Sequence, residues 1–224
     1  FLALGLGICL LAGSFDVSLA QIAGFTAAIV GWLSAGAPWP LLILLAIGIG
    51  MGIGLMYGIL IGKLGMTSFL ITLGGYIIFY WATRYVGGLA DLFIDDPHLL
   101  FLGDGQIFGV FVPIPLFIGL LLISWFLVNN TRTGFDIYAV GEGVENARRV
   151  GINAGNIKML VHVVAGAFAG FAGVVYAGFV EGNIQVTIAD GEIFTAFAAI
   201  AIAGISVRGG RGNLLHIFGG AILM

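Results

Sequence analysis

The chain of 224 residues is 60% hydrophobic and only 8% charged, with a net charge of -3 and a mean hydropathy of +1.15. Soluble domains carry about 25% charged residues, so this chain cannot clothe itself in an ordinary aqueous surface and takes lipid as its solvent. The slight negative charge gives no footing for nucleic acid or for anionic headgroups, and the single cysteine, Cys9, allows no internal disulfide.

These numbers predict an all-α fold, a polytopic transmembrane helical bundle forming one domain over 1–224. The start at Phe1 and the stop at Met224 inside an apolar run read as a domain truncated at both ends. Residues 1–12 are apolar and are expected to complete one span. Gly13 to Ser18 then interrupts with small and polar residues before a second apolar stretch, Leu19 to Leu33. Asp16 either caps the following helix or belongs to a broken helix, where irregular backbone survives only against protein or a water-filled cavity. An acid near a span is a functional candidate by default.

Pro38 and Pro40 open a span to about Ile61, in which Gly50, Gly54, Gly58 and Gly62 recur every fourth residue. Small residues at that interval make a smooth face that admits another backbone. A further span is expected from Met66 to Thr83. After it, Asp91, Asp95, Asp96 and Asp104 form an acidic stretch whose spacing matches no calcium loop, so a solvated loop is expected. The next span covers Ile114 to Val128. Met159 to Val180 is long enough to cross and carries Ala165, Ala169, Gly173 and Ala177 beside Gly166 and Gly170, a second smooth face. His162 lies in this span, remote in sequence from His98 and His216, which speaks against a metal site. The apolar run Ile193 to Val207 falls short of the roughly 20 residues of a straight crossing; it either re-enters or starts earlier and buries Asp190 and Glu192. A last span begins near Leu214, after the basic turn Arg208 to Gly212.

Between the spans, 131–158 is the longest polar passage. Its middle reads as a short helix, with Glu142 and Glu145 early, Arg148 and Arg149 late, and Gly151 as the stop. Glu145 and Arg149, four apart, are expected to pair. Val144, Ala147 and Gly151 leave a small stripe that suits a shallow groove. Lys63, Arg132, Arg148, Arg149, Lys158, Arg208 and Arg211 fall on one side if the spans alternate, and Arg84 alone on the other. Basic loops stay in the cytoplasm, which makes 131–158 a cytoplasmic loop.

The passage Gly141-Glu142-Gly143-Val144-Glu145-Asn146-Ala147-Arg148-Arg149-Val150-Gly151-Ile152-Asn153 resembles the cytoplasmic coupling segment of the permease subunit of bacterial ABC importers of the ribose and simple-sugar class. Gly13 to Ser18, Gly54 to Gly58, Phe69 to Gly74 and Phe197 to Gly212 resemble four further passages of that family, in order. Tyr57 departs from it, standing where an Asn commonly precedes the glycine; Leu19-Ala20-Gln21 and Ala203-Gly204 depart as well. The resemblance implies a multi-pass subunit of the bacterial inner membrane, not itself an enzyme and without a cofactor. Its implied partners are cytoplasmic ABC ATPase subunits, a periplasmic or lipid-anchored substrate-binding protein and a second permease subunit, identical or not. Coupling to the ATPase would fall to Gly141, Glu142, Glu145, Asn146, Ala147, Arg148, Arg149, Gly151 and Ile152. A neutral small solute such as a sugar would pass hydroxyls and aromatic faces, for which Asp16, Ser18, Phe69 and Thr72 are the candidates. Permeases for nucleosides or branched-chain amino acids share the coupling loop and are the alternatives within the class. Outside it stands an ion-coupled secondary transporter, for which Asp16 and Glu192 would be the ionisable groups. A membrane enzyme has less to stand on, since the sequence holds no His-Glu-x-x-His and no Gly-x-Ser-x-Gly.

Overall fold

The computed structural model describes residues 1–88, 92–185 and 187–224. Asp91, expected in the acidic loop, lies outside them. The helices in chain order are α1 (Leu2–Leu11), α2 (Leu19–Leu33), α3 (Trp39–Gly58), α4 (Ser68–Gly87), α5 (Pro97–Asp104), α6 (Pro113–Asn130), α7 (Arg132–Glu142), α8 (Val144–Arg149), α9 (Ala154–Phe179), α10 (Glu192–Ile202) and α11 (His216–Leu223). A two-residue hairpin, β1 (Gln106–Ile107) with β2 (Val110–Phe111), separates α5 from α6.

The centre of the molecule is α9, whose 26 residues span about 39 Å, longer than the roughly 30 Å hydrocarbon layer. Asn153 caps it by accepting a hydrogen bond from the Asn156 amide, so that the helix begins at Ala154, five residues before the expected start at Met159. Its two small faces serve different neighbours. Gly155, Gly166 and Gly170 meet α3 and the π-helical turn Ile59–Lys63 that ends it, where Gly62, Gly50 and Ala46 lie so close that a Cβ on any of the three α9 glycines would overlap a carbonyl. The Ala165 and Gly173 row faces the other way, toward Gly5 of α1 and toward Ala23 and Thr26 of α2. The two glycine stripes expected separately are thus, in part, one interface.

Residues 1–33 form two helices joined through the polar interruption at 13–18, a helical hairpin rather than one helix broken in mid-span, with Asp16 in the turn between them. α1 descends antiparallel to α9, with Gly5 against Ala165 and Cys9 against Val161, and α2 turns back along it, with Thr26 reaching the Gly170 carbonyl. With 10 residues, α1 covers about 15 Å, half a hydrocarbon layer. Gly13, at φ 66°, makes the turn that stops it.

Among the described residues, three helices are long and apolar enough to cross a membrane: α3 with its π turn (Trp39–Lys63), α6 and α9. Two expectations need correction, and the run 193–207 is as short of a crossing as expected. The acidic loop contains α5, started by Asp96 accepting from the His98 amide with Pro97 at the first position, and its Gly103 sits against the backbone of Gly178 and Phe179. The run 193–207 is helical only as α10, 11 residues or about 16 Å, after which the chain turns at Gly204. Glu192 lies in the first turn of α10 while Asp190 stays outside the helix and exposed. Finally, 131–158 is mostly helix: α7, α8 and the first turn of α9.

Candidate functional site

The break between α1 and α2 gathers the buried polar side chains. Asp16 Oδ1 accepts from the Ser18 amide at 2.9 Å and from the Ser18 hydroxyl at 2.7 Å. Its Oδ2 lies 3.2 Å from His162 Nδ1, and His162 Nε2 lies 2.8 Å from Ser14 Oγ. Phe15, between them, donates its amide to Ser68 Oγ at 3.1 Å and accepts from Thr72 Oγ1 at 3.3 Å, while the Val17 amide donates to Thr72 Oγ1. The backbone of the break is therefore satisfied by Ser68 and Thr72 of α4, by the Asp16 side chain and by the last carbonyls of α1, as burial demands, while His162 of α9 holds side chains. Ser14, His162 and Asp16 stand in the order of a hydrolytic relay, yet Ser14 is 1% exposed, so no substrate carbonyl can reach its hydroxyl.

Tyr57 closes this cluster from α3. Its ring stands edge-on to His162, 6.5 Å between centroids, and its hydroxyl lies against Gly75 of α4, where any Cβ would overlap it. Among the described residues that hydroxyl has no hydrogen-bond partner.

Outward from the break runs an aromatic lane. The Phe15 ring touches Phe69 and Phe197, at 6.2 and 5.7 Å between centroids. Tyr76 and Tyr80 stack along α4 one turn apart, and Arg84, one further turn on, lies 3.5 Å over the Tyr80 ring. Arg84 also bridges to Asp190 at 2.9 Å, tying α4 to the segment before α10, and Gln21 of α2 reaches the same carboxylate.

At the opposite end, α7 and α8 form an arm. Thr131 caps α7 by accepting from the Gly134 amide, and Ile137 and Val140 anchor it. Tyr138 donates to the Gly212 carbonyl at 2.9 Å, and burial raises its phenol pKa. Gly141 sits against the Leu11 carbonyl and Gly210, so the arm joins the molecule beneath the break. Glu142 pairs with Arg211 at 2.9 Å, which raises the pKa of that guanidinium. α8 ends in a Schellman motif: Gly151, at φ 83°, donates to the Arg148 carbonyl and Ile152 to that of Ala147.

Of the expected pathway residues, Asp16, Ser18 and Thr72 come together at the break, buried and bonded within the protein, while Phe69 is half-exposed against Phe15. Of the expected coupling residues, Glu142, Glu145, Asn146, Arg148, Arg149 and Gly151 are exposed on the arm and Ile152 and Gly141 are half-buried. Ala147 is buried and Val144 half-buried against the body, so only Gly151 of the expected docking stripe is open, and the charged face of α8 looks outward. Glu145 pairs with Arg148 at 3.4 Å rather than with Arg149. Sequence reasoning missed Ser14, Phe15, Tyr57, Phe197 and the role of His162. Their only signal was the polar interruption at 13–18 and the departure at Tyr57.

Apolar helices wrapped around a polar break, with a charged arm at one end, define a polytopic α-helical membrane protein with the build of a transport subunit. The chain belongs to the family described as branched-chain amino acid transport system / permease component, whose profile matches residues 1–224. It is 29% identical over 226 residues to the galactofuranose transporter permease protein YtfT of Escherichia coli strain K12, covering 100% of this chain and 66% of that one. It is 30% identical over 230 residues to the autoinducer 2 import system permease protein LsrC of Enterobacter sp. strain 638, covering 100% and 65%. To the ribose import permease protein RbsC of Escherichia coli strain K12 it is 27% identical over 231 residues, covering 100% and 71%. The chain thus spans 65% to 71% of the length of these relatives. No solved structure gives a significant match. The ion-coupled carrier is not favoured by these relatives, and both its candidate groups are committed: Asp16 to Ser18 and His162, Glu192 to the Tyr176 hydroxyl at 2.8 Å.

Proposed function

We propose that this chain is the membrane-spanning permease subunit of an ATP-driven importer that carries a sugar or similar small neutral solute across the bacterial inner membrane. The observation that carries the reading is α8, a six-residue charged helix pinned to the body by Ala147 and joined almost directly to the long central helix. Its exposed face offers Glu145, Asn146, Arg148, Arg149 and, at the tip, Val150, which is 73% exposed. Such a face suits a groove on a soluble partner. A cytoplasmic ATPase is the partner the family and its named relatives point to, since the chain holds no Gly-x-x-x-x-Gly-Lys-Ser/Thr of its own. A substrate-binding protein and a second permease subunit complete the assembly. The cargo follows from relatives named for galactofuranose and ribose. The lane from Arg84 through Tyr80 and Tyr76 to Phe69 and Phe15 fits it, because aromatic faces and uncharged hydroxyls bind polyols weakly enough to release them.

The test is purification of the tagged full-length protein from mild detergent, as wild type and as the Arg149→Glu/Val150→Asp double variant. Wild type is expected to retain an ABC ATPase, and the variant to lose it while still inserting in the membrane. Wild type recovered without an ATPase, or an undiminished ATPase on the variant, overturns the reading.

A further inference from the structure

His162 meets two neighbours with two different parts of itself. Its backbone carbonyl lies against Gly54 of α3, where a Cβ would overlap it, so its place along the α3–α9 interface is fixed. Its ring turns the other way, fully buried, into the break. Around the ring stand Ser14, Asp16, the Cys9 thiol at 3.9 Å and the edge of Tyr57.

The hydrogen bonds assign the tautomer. Ser18 already donates twice to Asp16 Oδ1, so the carboxylate has Oδ2 free to accept from Nδ1–H. Nε2 is then left without a proton and accepts from the Ser14 hydroxyl. One imidazole thus holds residues 14 and 16, on either side of Phe15. The backbone of Phe15 is meanwhile held to Ser68 and Thr72 of α4. Nothing remains free but its ring, which is aimed at Phe69 and Phe197.

We infer that His162 is a positioning residue that sets the Phe15 ring across the solute lane and carries displacement of α9 into it. His162 lies eight positions above Ala154, about 12 Å along the helix from the end that α8 joins. A rigid helix moved at that end moves His162 with it. Through Ser14 and Asp16 the motion reaches Phe15, while α4 holds the far side of the break. The inference rests on the importer reading.

It is tested in proteoliposomes holding the full-length permease with its ATPase and binding protein, by measuring solute imported per ATP hydrolysed. A merely structural role would lower uptake and hydrolysis together and leave that ratio unchanged. His162→Ala is expected to cut the ratio at least tenfold with basal hydrolysis within twofold of wild type. His162→Gln, whose amide both donates and accepts, is expected to recover at least a third of it. Should His162→Ala fail to assemble, Ser14→Ala removes the Nε2 tie alone and is expected to cut the ratio about threefold. A ratio unchanged in His162→Ala, or in Ser14→Ala where that variant stands in, overturns the inference. A wild-type assembly that hydrolyses ATP but imports nothing, or that never forms, fails the importer reading itself and is read before any variant.

Discussion

The central helix has two sides built on opposite principles. Toward α3 it presents glycine, and the contact is backbone on backbone: Gly166 against Gly50, Gly155 against Gly62, Gly170 against Ala46. Toward the break it presents His162, and the contact is three hydrogen-bonded side chains. In lipid there is no hydrophobic gain from pressing helices together, so close van der Waals approach must supply the attraction, and it works only at one separation. The α3 side is therefore held by shape alone, and the break by the direction and pairing of buried hydrogen bonds.

The largest way to break this comparison is to put bulk in the side held by shape. A Leu at 166 would drive its side chain into the Gly50 carbonyl, and neither backbone can yield without unzipping the interface. Gly166→Leu is expected to cost on the order of 3 kcal/mol or more, enough to abolish a monodisperse peak after detergent extraction. Gly52→Leu is the control. Gly52 is on α3, two residues from Gly50, but has nothing within 4 Å of its added Cβ, and the extracted yield should match wild type. Equal damage from both would mean that these two helices are sensitive to glycine replacement as such rather than to this interface.

A smaller effect sharpens the comparison at its seam. Tyr57 is buried with an unsatisfied hydroxyl, and burying a polar group unpaired costs about 1–3 kcal/mol. Tyr57→Phe removes the hydroxyl and keeps the ring edge on His162. Its unfolding midpoint should rise, by an amount equivalent to about 1 kcal/mol. A fall would show that the hydroxyl has a bonding partner, the nearby Ser18 hydroxyl or a bound water.

The two sides were not equally legible in the amino-acid sequence. Glycine every fourth residue announces a smooth face, so both stripes could be read; that they meet each other could not, because a period says nothing about the partner. The break at 13–18 showed as a polar interruption, but its anchor on α9 lies 148 residues from Ser14. No local pattern connects them, and a single histidine in an apolar span carried no signal beyond its own oddity. α7 was hidden by reading its polar residues as loop. Its cap at Thr131 and the inward row Gly134, Ile137 and Val140 were the missed cues. For α8 the charges and the stop at Gly151 were legible, yet sidedness was not: a small stripe fits a partner's groove as well as its own body, and the structure turns Ala147 to the body.

That sidedness gives the smallest prediction. The Glu145–Arg148 pair is 79% and 63% exposed in its side chains, so solvent screens it and both long side chains pay rotamer entropy to meet. Glu145→Ala should shift the unfolding midpoint by an amount equivalent to less than about 0.5 kcal/mol. Arm and body are thus separable by measurement, because a residue that contributes nothing to the fold can still contribute to a docked surface. If the charged face is what an ATPase meets, Glu145→Ala weakens retention of the ATPase on the purified permease at an unchanged midpoint. A midpoint lowered by 1 kcal/mol or more would instead place Glu145 in a contact with its own protein, and the outward face of α8 would have to be drawn around Asn146, Arg149 and Val150 alone.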